Sequence, residues 1–205
     1  MIFFANPKSE YVYLKKKIDN RIKKVLESNS YILGKEVENF ERNFSKYLGV
    51  KYSVGVSSGT DALILALQSI DIQKGDEVIT TSHTAFATIA AIVDVGATPV
   101  FIDIKENDFT IDVSKIEKKI SKKTKAIVVV HFLGIPVDML KVLRIAKKYN
   151  LLVLEDCALA LGSKINSKHV GLFGDAGVFS FYPVKHITTA EGGMLITNNR
   201  KVAEK

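Results

Sequence analysis

Three short stretches of this chain put reactive residue types where a folded protein could use them. The longest is Phe179-Ser180-Phe181-Tyr182-Pro183-Val184-Lys185-His186-Ile187, followed closely by Glu191-Gly192-Gly193. Lys185 stands among apolar and aromatic neighbours, and burial disfavours the charged ammonium. A lysine with a lowered pKa presents a neutral amine, the form that condenses with a carbonyl to give a Schiff base. A lone lysine before a turn is ordinarily structural, so this one gains meaning only from its company. The paired glycines permit close backbone approach or a tight turn.

The company begins with Val153-Leu154-Glu155-Asp156-Cys157-Ala158. Two carboxylates at the end of an apolar run are costly to bury without partners. Strand alternation turns one of them, Asp156, toward a cleft and Glu155 away from it. In a cleft, Asp156 can serve a metal, a ribose or a protonated ring nitrogen; its plainer use is to cap the next segment. No histidine or carboxylate cluster lies near it in sequence to complete a metal site, so no metal is expected. The third stretch is Ser57-Ser58-Gly59-Thr60-Asp61-Ala62-Leu63. Small residues there turn the chain into an apolar-periodic helix whose free N–H groups, with hydroxyls beside them, suit a phosphate. Taken alone, an ordinary Ser/Thr N-cap is the commoner use of such residues.

These residues need elements to hold them. Leu14, Ile18, Ile22 and Leu26 recur in steps of four, and Val37, Phe40, Phe44 and Tyr47 mark one face of a second helix, with Gly34 as a stop between them. The pattern then changes to β-rich runs at Tyr52–Val56, Glu77–Thr80, Pro99–Asp103, Ala126–Val130 and Leu151–Glu155. Helical patterns fill the gaps, at Asp61–Ile70, Phe86–Val95, Val113–Ile120 and Asp138–Tyr149. Strand–helix alternation of this kind predicts an α/β fold, a three-layer α/β/α sandwich around a mostly parallel sheet. Ala176–Phe181 and Gly193–Thr197 read as two further strands with a tight connection, making the sheet mixed at one end. Ligands of such sheets sit at the carboxyl ends of the strands, and all three stretches follow or end strands.

Composition narrows the classes. The formal charge is +7, yet the lysines concentrate in two stretches, Lys15 to Lys24 and Lys115 to Lys125, interleaved with isoleucine at helical spacing. That is a solvated helix face without an aromatic-basic motif, so nucleic acid is not expected as a partner. Cys157 is the single cysteine, which excludes an internal disulfide; it reads as a small buried residue. No apolar run approaches the roughly 20 residues of a membrane span, and the Met1–Pro7 lead lacks the form of a signal peptide. A cytoplasmic protein with no membrane contact is the expectation.

Taken together, Ser-Gly-Thr after the first strand, Glu155-Asp156-Cys157-Ala158, Ser180-Phe181 ahead of Lys185 and Glu191-Gly192-Gly193 closely resemble the DegT/DnrJ/StrS family, fold-type I pyridoxal-phosphate enzymes acting on nucleotide-linked keto sugars. The resemblance extends to Gly34, Phe40-Glu41, Lys74 to Val78, Gly96 to Val100 with Asp103, and His131 with Gly134 and Asp138. Many ordered matches carry what any one of them would not.

The resemblance implies pyridoxal phosphate as cofactor, held covalently by Lys185, which then moves the proton, with Asp156 paired to the pyridine nitrogen. Ser58, Gly59, Thr60 and Ser180 would hold the phosphate. It implies transfer of an amino group from a donor, generally glutamate, to a 4-keto-6-deoxy or 3-keto sugar nucleotide, within a homodimer whose active sites are shared. A basic surface would help attract so anionic a substrate.

Two positions depart from the family pattern. Leu159 stands where many members have Gln or His and donates no hydrogen bond. Ala85 replaces an aromatic that stacks on the cofactor ring, leaving His83 or Phe86 to cover it. Members also continue well past Glu191-Gly192-Gly193. Residues 1–50 are therefore expected as a helical lead-in, and 51–205 as an incomplete large domain without the small C-terminal one. Two alternatives stand beside the aminotransferase. One is a sugar dehydratase of the same superfamily, which Lys185 disfavours because enzymes of that type can carry histidine there. The other is a truncated, non-catalytic protein that binds cofactor or a partner.

Overall fold

The computed structural model describes residues 6–205. Helix α1 (Pro7–Glu27) opens with proline, which lacks the N–H that a first helical turn leaves unbonded. Its apolar steps pack only lightly, for no residue of α1 is buried and Ile22 and Leu26 are exposed. Gly34 does separate the helices, but as the N-cap of α2 (Lys35–Leu48) rather than as the stop of α1, which has already ended. Gly49, at φ +75°, closes α2 in the left-handed conformation that favours glycine.

The remaining order alternates. Strand β1 (Tyr52–Val56) leads into α3 (Gly59–Ser69), β2 (Glu77–Thr81) into α4 (Phe86–Asp94), then come β3 (Thr98–Ile102), β4 (Thr124–Val130), α5 (Met139–Tyr149) and β5 (Leu152–Asp156). A two-stranded hairpin, β6 (Lys164–Ile165) and β7 (Lys168–His169), precedes β8 (Ala176–Ser180), β9 (Gly193–Thr197) and α6 (Arg200–Glu204). Seven strands form one sheet in the order β1-β9-β8-β5-β4-β2-β3. Strand β9 is antiparallel to both neighbours, whereas β8-β5-β4-β2-β3 pair in parallel. The sheet is therefore mixed at one end, as its sequence predicts.

Buried on both faces, β4 is nearly all apolar. Its Ala126 and Val128 join α3 and α4 in one core, while Ile127 and Val129 join α5 in another. A third core sets Phe44 and Leu48 of α2 against Phe179 and Met194 at the antiparallel end. Helices thus cover both faces of the sheet.

Two sequence expectations are corrected. The stretch 113–120 is two short 3-10 turns, Val113–Lys115 and Glu117–Lys119, rather than an α-helix. Its buried residues, Val113 and Ile116, stand three apart, a spacing that a 3-10 turn serves directly. The connection between β8 and β9 is not tight: it is a loop over 181–192 that contains Lys185. Gly192-Gly193 ends that loop instead of turning it.

Candidate active site

The carboxyl ends of β1, β5 and β8 converge on a cleft of about 350 Å³, lined among others by Gly59, Thr60, Asp156, Ser180 and Lys185. A larger hollow of about 460 Å³ lies between β1, α3 and α6, but there Lys205 is paired with the exposed Asp71 just past the end of α3 rather than set beside a helix start.

One wall is the start of α3. Ser58 is its N-cap: the hydroxyl oxygen accepts the Asp61 N–H at 3.0 Å and the hydroxyl donates to Asp61 Oδ2 at 2.8 Å. Ser57 donates to the same oxygen. These hydroxyls, Ser57 first, hold the Asp61 carboxyl below its ordinary range against the opposing effect of burial. Ser58 lines the cleft, and its hydroxyl also caps α3. The N–H groups of Gly59 and Thr60 precede the first intrahelical bond and remain available. Glycine is required here: a Cβ on residue 59 would lie 2.7 Å from Ser180 Cβ. A Cβ on residue 193 would lie 2.2 Å from the Ser58 carbonyl oxygen. The helix start is wedged between the end of β8 and the beginning of β9, which sets the Ser180 hydroxyl beside it.

A second wall is Asp156, the last residue of β5 and buried. Its Oδ1 accepts the Ala158 N–H at 3.0 Å, and its Oδ2 accepts the Thr88 hydroxyl at 2.8 Å. Burial raises its pKa; the hydrogen bonds from Ala158 and Thr88, and then the positive charge of Lys185, oppose that rise. The third wall is the loop with Lys185. Phe181 anchors it, accepting at its carbonyl the Thr189 N–H (3.1 Å) and the Thr188 hydroxyl (2.9 Å), while its ring meets Phe40 and Phe44 edge-on. Lys185 is half-buried, and burial pushes its ammonium below the ordinary value, only partly offset by Asp156. A buried acid and a lysine whose charge is disfavoured by burial thus share one cleft with a helix N-terminus.

Glu155 turns to the opposite side, as strand alternation requires, into a cluster the sequence did not reveal. His131 Nδ1 accepts the Val137 N–H at 3.1 Å, so Nε2 carries the proton and donates to Glu155 Oε2 at 3.0 Å. Glu155 also accepts the N–H groups of Gly171 (2.8 Å), Phe173 (2.6 Å) and Gly174 (2.7 Å). The expectation of no histidine or carboxylate cluster near Asp156 is corrected, because potential ligand atoms of His131, Glu155 and Cys157 lie within 4.8 Å of one another. Every Glu155 oxygen is already occupied by donors, and burial, with the two acids beside it, pushes the Cys157 thiol up. The cluster reads as a closed hydrogen-bond network.

Of the two residues expected to cover a ring, neither lines the cleft; Ala85 does. His83 meets Phe132 edge-on at 4.3 Å and stacks on Phe109 at 6.0 Å. Phe86 is 84% exposed. Sequence reasoning missed Thr84 and Thr88, whose hydroxyls are 2.7 Å apart. Their spacing of four around a helix start was the available signal.

Fold and cleft define an α/β protein with an open helix start beside a half-buried lysine and a buried acid. Residues 12–205 match the model of the DegT/DnrJ/EryC1/StrS aminotransferase family. The chain is 48% identical, over all of its length and 57% of the relative's, to dTDP-3-amino-3,6-dideoxy-alpha-D-galactopyranose transaminase of Aneurinibacillus thermoaerophilus. It is 42% identical, over 97% of its length and 54% of the relative's, to UDP-N-acetyl-3-dehydro-alpha-D-glucosamine 3-aminotransferase of Acidithiobacillus ferrooxidans. Among solved structures it superposes with a TM-score of 0.96 at 38% identity on S. venezuelae DesV, crystallised in complex with a ketimine intermediate, covering 99% of this chain and 55% of that one. The chain belongs to the DegT/DnrJ/EryC1/StrS aminotransferase family. It spans about half the length of the curated relatives it matches. Among the described residues, no helix is long and apolar enough to cross a membrane.

Proposed function

We propose that this chain is the cofactor-binding part of a pyridoxal-phosphate-dependent aminotransferase that moves an amino group, from a donor such as glutamate, onto a keto group of a nucleotide-linked sugar. The observation that carries this reading is the convergence of Lys185 and Asp156 on one cleft with the open start of α3. The cleft fits the cofactor on its own chemistry. Gly59 admits close approach, Ser180 adds a hydroxyl, the buried acid can take a positive partner, and burial lowers the pKa of the lysine.

The Gly59 and Thr60 N–H groups, with the Thr60 and Ser180 hydroxyls, would hold the phosphate. Asp156 would hold the ring nitrogen, and Lys185 would attach the cofactor through Nζ. When bound, pyridoxal phosphate supplies an electron sink for the carbon bearing the transferred nitrogen. Lys185 Nζ carries the proton to and from that carbon, a task suited to an amine whose pKa burial has lowered. His83 and Phe86 could approach the ring only from outside the present lining, so Ala85 leaves that position small.

The names of both curated relatives refer to carbon 3, which favours a 3-keto over a 4-keto-6-deoxy sugar as acceptor. Residues 51–205 serve as the cofactor-binding domain, residues 1–50 as its helical lead-in, and the working unit is a cytoplasmic homodimer that completes each site. The test is an absorbance spectrum of the protein with pyridoxal phosphate, beside Lys185→Ala, followed by turnover of 3-keto and 4-keto sugar nucleotides with glutamate. A cofactor band in the parent alone, with turnover of a 3-keto acceptor, is expected. Identical spectra for the two proteins would overturn the role of Lys185, and preferential turnover of the 4-keto sugar would overturn the choice of carbon.

A further inference from the structure

The acid at the bottom of the cleft is aimed by a side chain from another element. The Asp156 backbone is pinned on both sides: its carbonyl accepts the His131 N–H at 3.0 Å, and the following N–H, of Cys157, donates to Val178 at 2.9 Å. What remains to be fixed is the side-chain torsion. The Ala158 N–H holds Oδ1, and Thr88 of α4 holds Oδ2 at 2.8 Å.

Thr88 is 1% exposed. A threonine inside a helix commonly returns its hydroxyl to a carbonyl one turn back. Other buried threonines here close backbone carbonyls in that spirit, Thr80 with Val128 at 3.0 Å and Thr197 with Asp175 at 2.7 Å. Thr88 instead reaches a carboxyl that lines the cleft. An ionised carboxylate only accepts, so the single Thr88 proton goes to Asp156, and the 2.7 Å contact with Thr84 must then be a donation from Thr84 to Thr88. With Asp156 ionised, the relay runs from Thr84 to Thr88 to Asp156. Were Asp156 protonated, both hydroxyls could reverse and the heavy atoms would stay where they are.

We infer that Thr88, itself oriented by Thr84, is a positioning residue that aims the Asp156 carboxylate at the ring nitrogen of the cofactor and keeps it there in either protonation state. This rests on the proposed role of Asp156. The titratable groups that face Asp156 are Lys185 from the loop after β8 and His131 after the end of β4; Thr88 is the side chain that donates a hydrogen bond to it.

The experiment compares the parent with Thr88→Val, which keeps the shape and removes the hydroxyl, and Thr88→Ser, which keeps the hydroxyl. Asp156→Asn and the half-buried Thr84→Val are measured beside them. Pyridoxal phosphate is titrated into each, and the pH dependence of the bound cofactor's absorbance is recorded. Loss of one hydrogen bond to a charged group corresponds to about a tenfold or greater weakening. Thr88→Val is expected to bind about tenfold more weakly, with the absorbance transition of the bound cofactor moved to lower pH. Thr88→Ser is expected to stay within about twofold of the parent, and Thr84→Val to fall between. If Asp156→Asn is impaired while Thr88→Val matches the parent in both affinity and pH profile, the role of Thr88 is overturned and that of Asp156 stands. If Asp156→Asn also matches the parent, or the parent takes up no cofactor, the reading of Asp156 fails and this one with it. Should Thr88→Val not fold, Thr84→Val decides: an unchanged pH profile there overturns the relay.

Discussion

Replacing Glu155 by glutamine removes one charge and leaves the shape of the side chain almost unchanged, so its effect isolates the hydrogen bonds. Glu155 is fully buried, and each of its oxygens takes two donors: Phe173 and Gly174 on Oε1, Gly171 and His131 on Oε2. Glutamine can keep its carbonyl toward Phe173 and Gly174. Its amide NH2 then confronts the Gly171 N–H and the His131 Nε2–H. The histidine cannot change tautomer to help, because its Nδ1 is held as acceptor by Val137. Two charge-assisted bonds are lost, at about 1.5–3 kcal/mol each, for about 3–6 kcal/mol in all. In a chain of this size each kcal/mol shifts Tm by about 2–4 °C, so the expected fall is about 6–24 °C. Thermal unfolding followed by circular dichroism measures it. Adding His131→Phe removes one stranded donor, so the double variant should lose less than the sum of the single ones. A Glu155→Gln Tm within about 3 °C of the parent, or strict additivity, would refute the reasoning.

Three other outcomes are expected. Burial raises the pKa of Asp156 above its ordinary 3.8, so the folded protein retains a proton there that the unfolded chain releases, and stability falls as pH rises through the raised value. Asp156→Asn should therefore melt above the parent at pH 8, without cofactor, and lose that advantage below the ordinary value; equal melting at pH 8 would count against it. In Gly59→Ala the new Cβ would sit 2.7 Å from Ser180 Cβ, so the helix start or the end of β8 must move. The cost is about 1–3 kcal/mol in urea unfolding, with at least a tenfold weaker uptake of pyridoxal phosphate expected; undiminished uptake would remove Gly59 from the phosphate site. His83→Ala gives up the edge contact with Phe132, worth about 0.5–1.5 kcal/mol, yet should leave cofactor absorbance intact because His83 lies outside the cleft lining.

The sheet and the ends of its strands were legible because they depend on local pattern. Tyr52–Val56 and Gly193–Thr197 are strands with the bounds that their sequence suggests, and Gly59, Thr60, Asp156, Ser180 and Lys185 meet in one cleft. What escaped depends on which strands become neighbours. His131 and Glu155 pair because β4 and β5 lie side by side with Val130 opposite Asp156, a register no local pattern announces. Thr88 reaches Asp156 across elements distant in sequence, and its spacing of four from Thr84 says nothing of that partner. At 113–120 the apolar spacing of three and four fits an α-helix and a pair of 3-10 turns equally well, and the shorter turns are what the fold contains. His83 and Phe86 were singled out by elimination, and their rings point to other neighbours or to water.

The place of β9 between β1 and β8 has a consequence for how the molecule is made. Tyr52 finds its partner at Thr197, far downstream in the sequence. During synthesis at roughly 5–20 residues per second, β1 therefore waits on the order of ten seconds for the strand that pairs with it. The parallel strands β2 to β5 and β8 can assemble first, each next to a partner already made. The turn at Gly59 is locked only when Gly193 slides against the Ser58 carbonyl. The start of α3, written early in the sequence, is fixed only after β9 has been made.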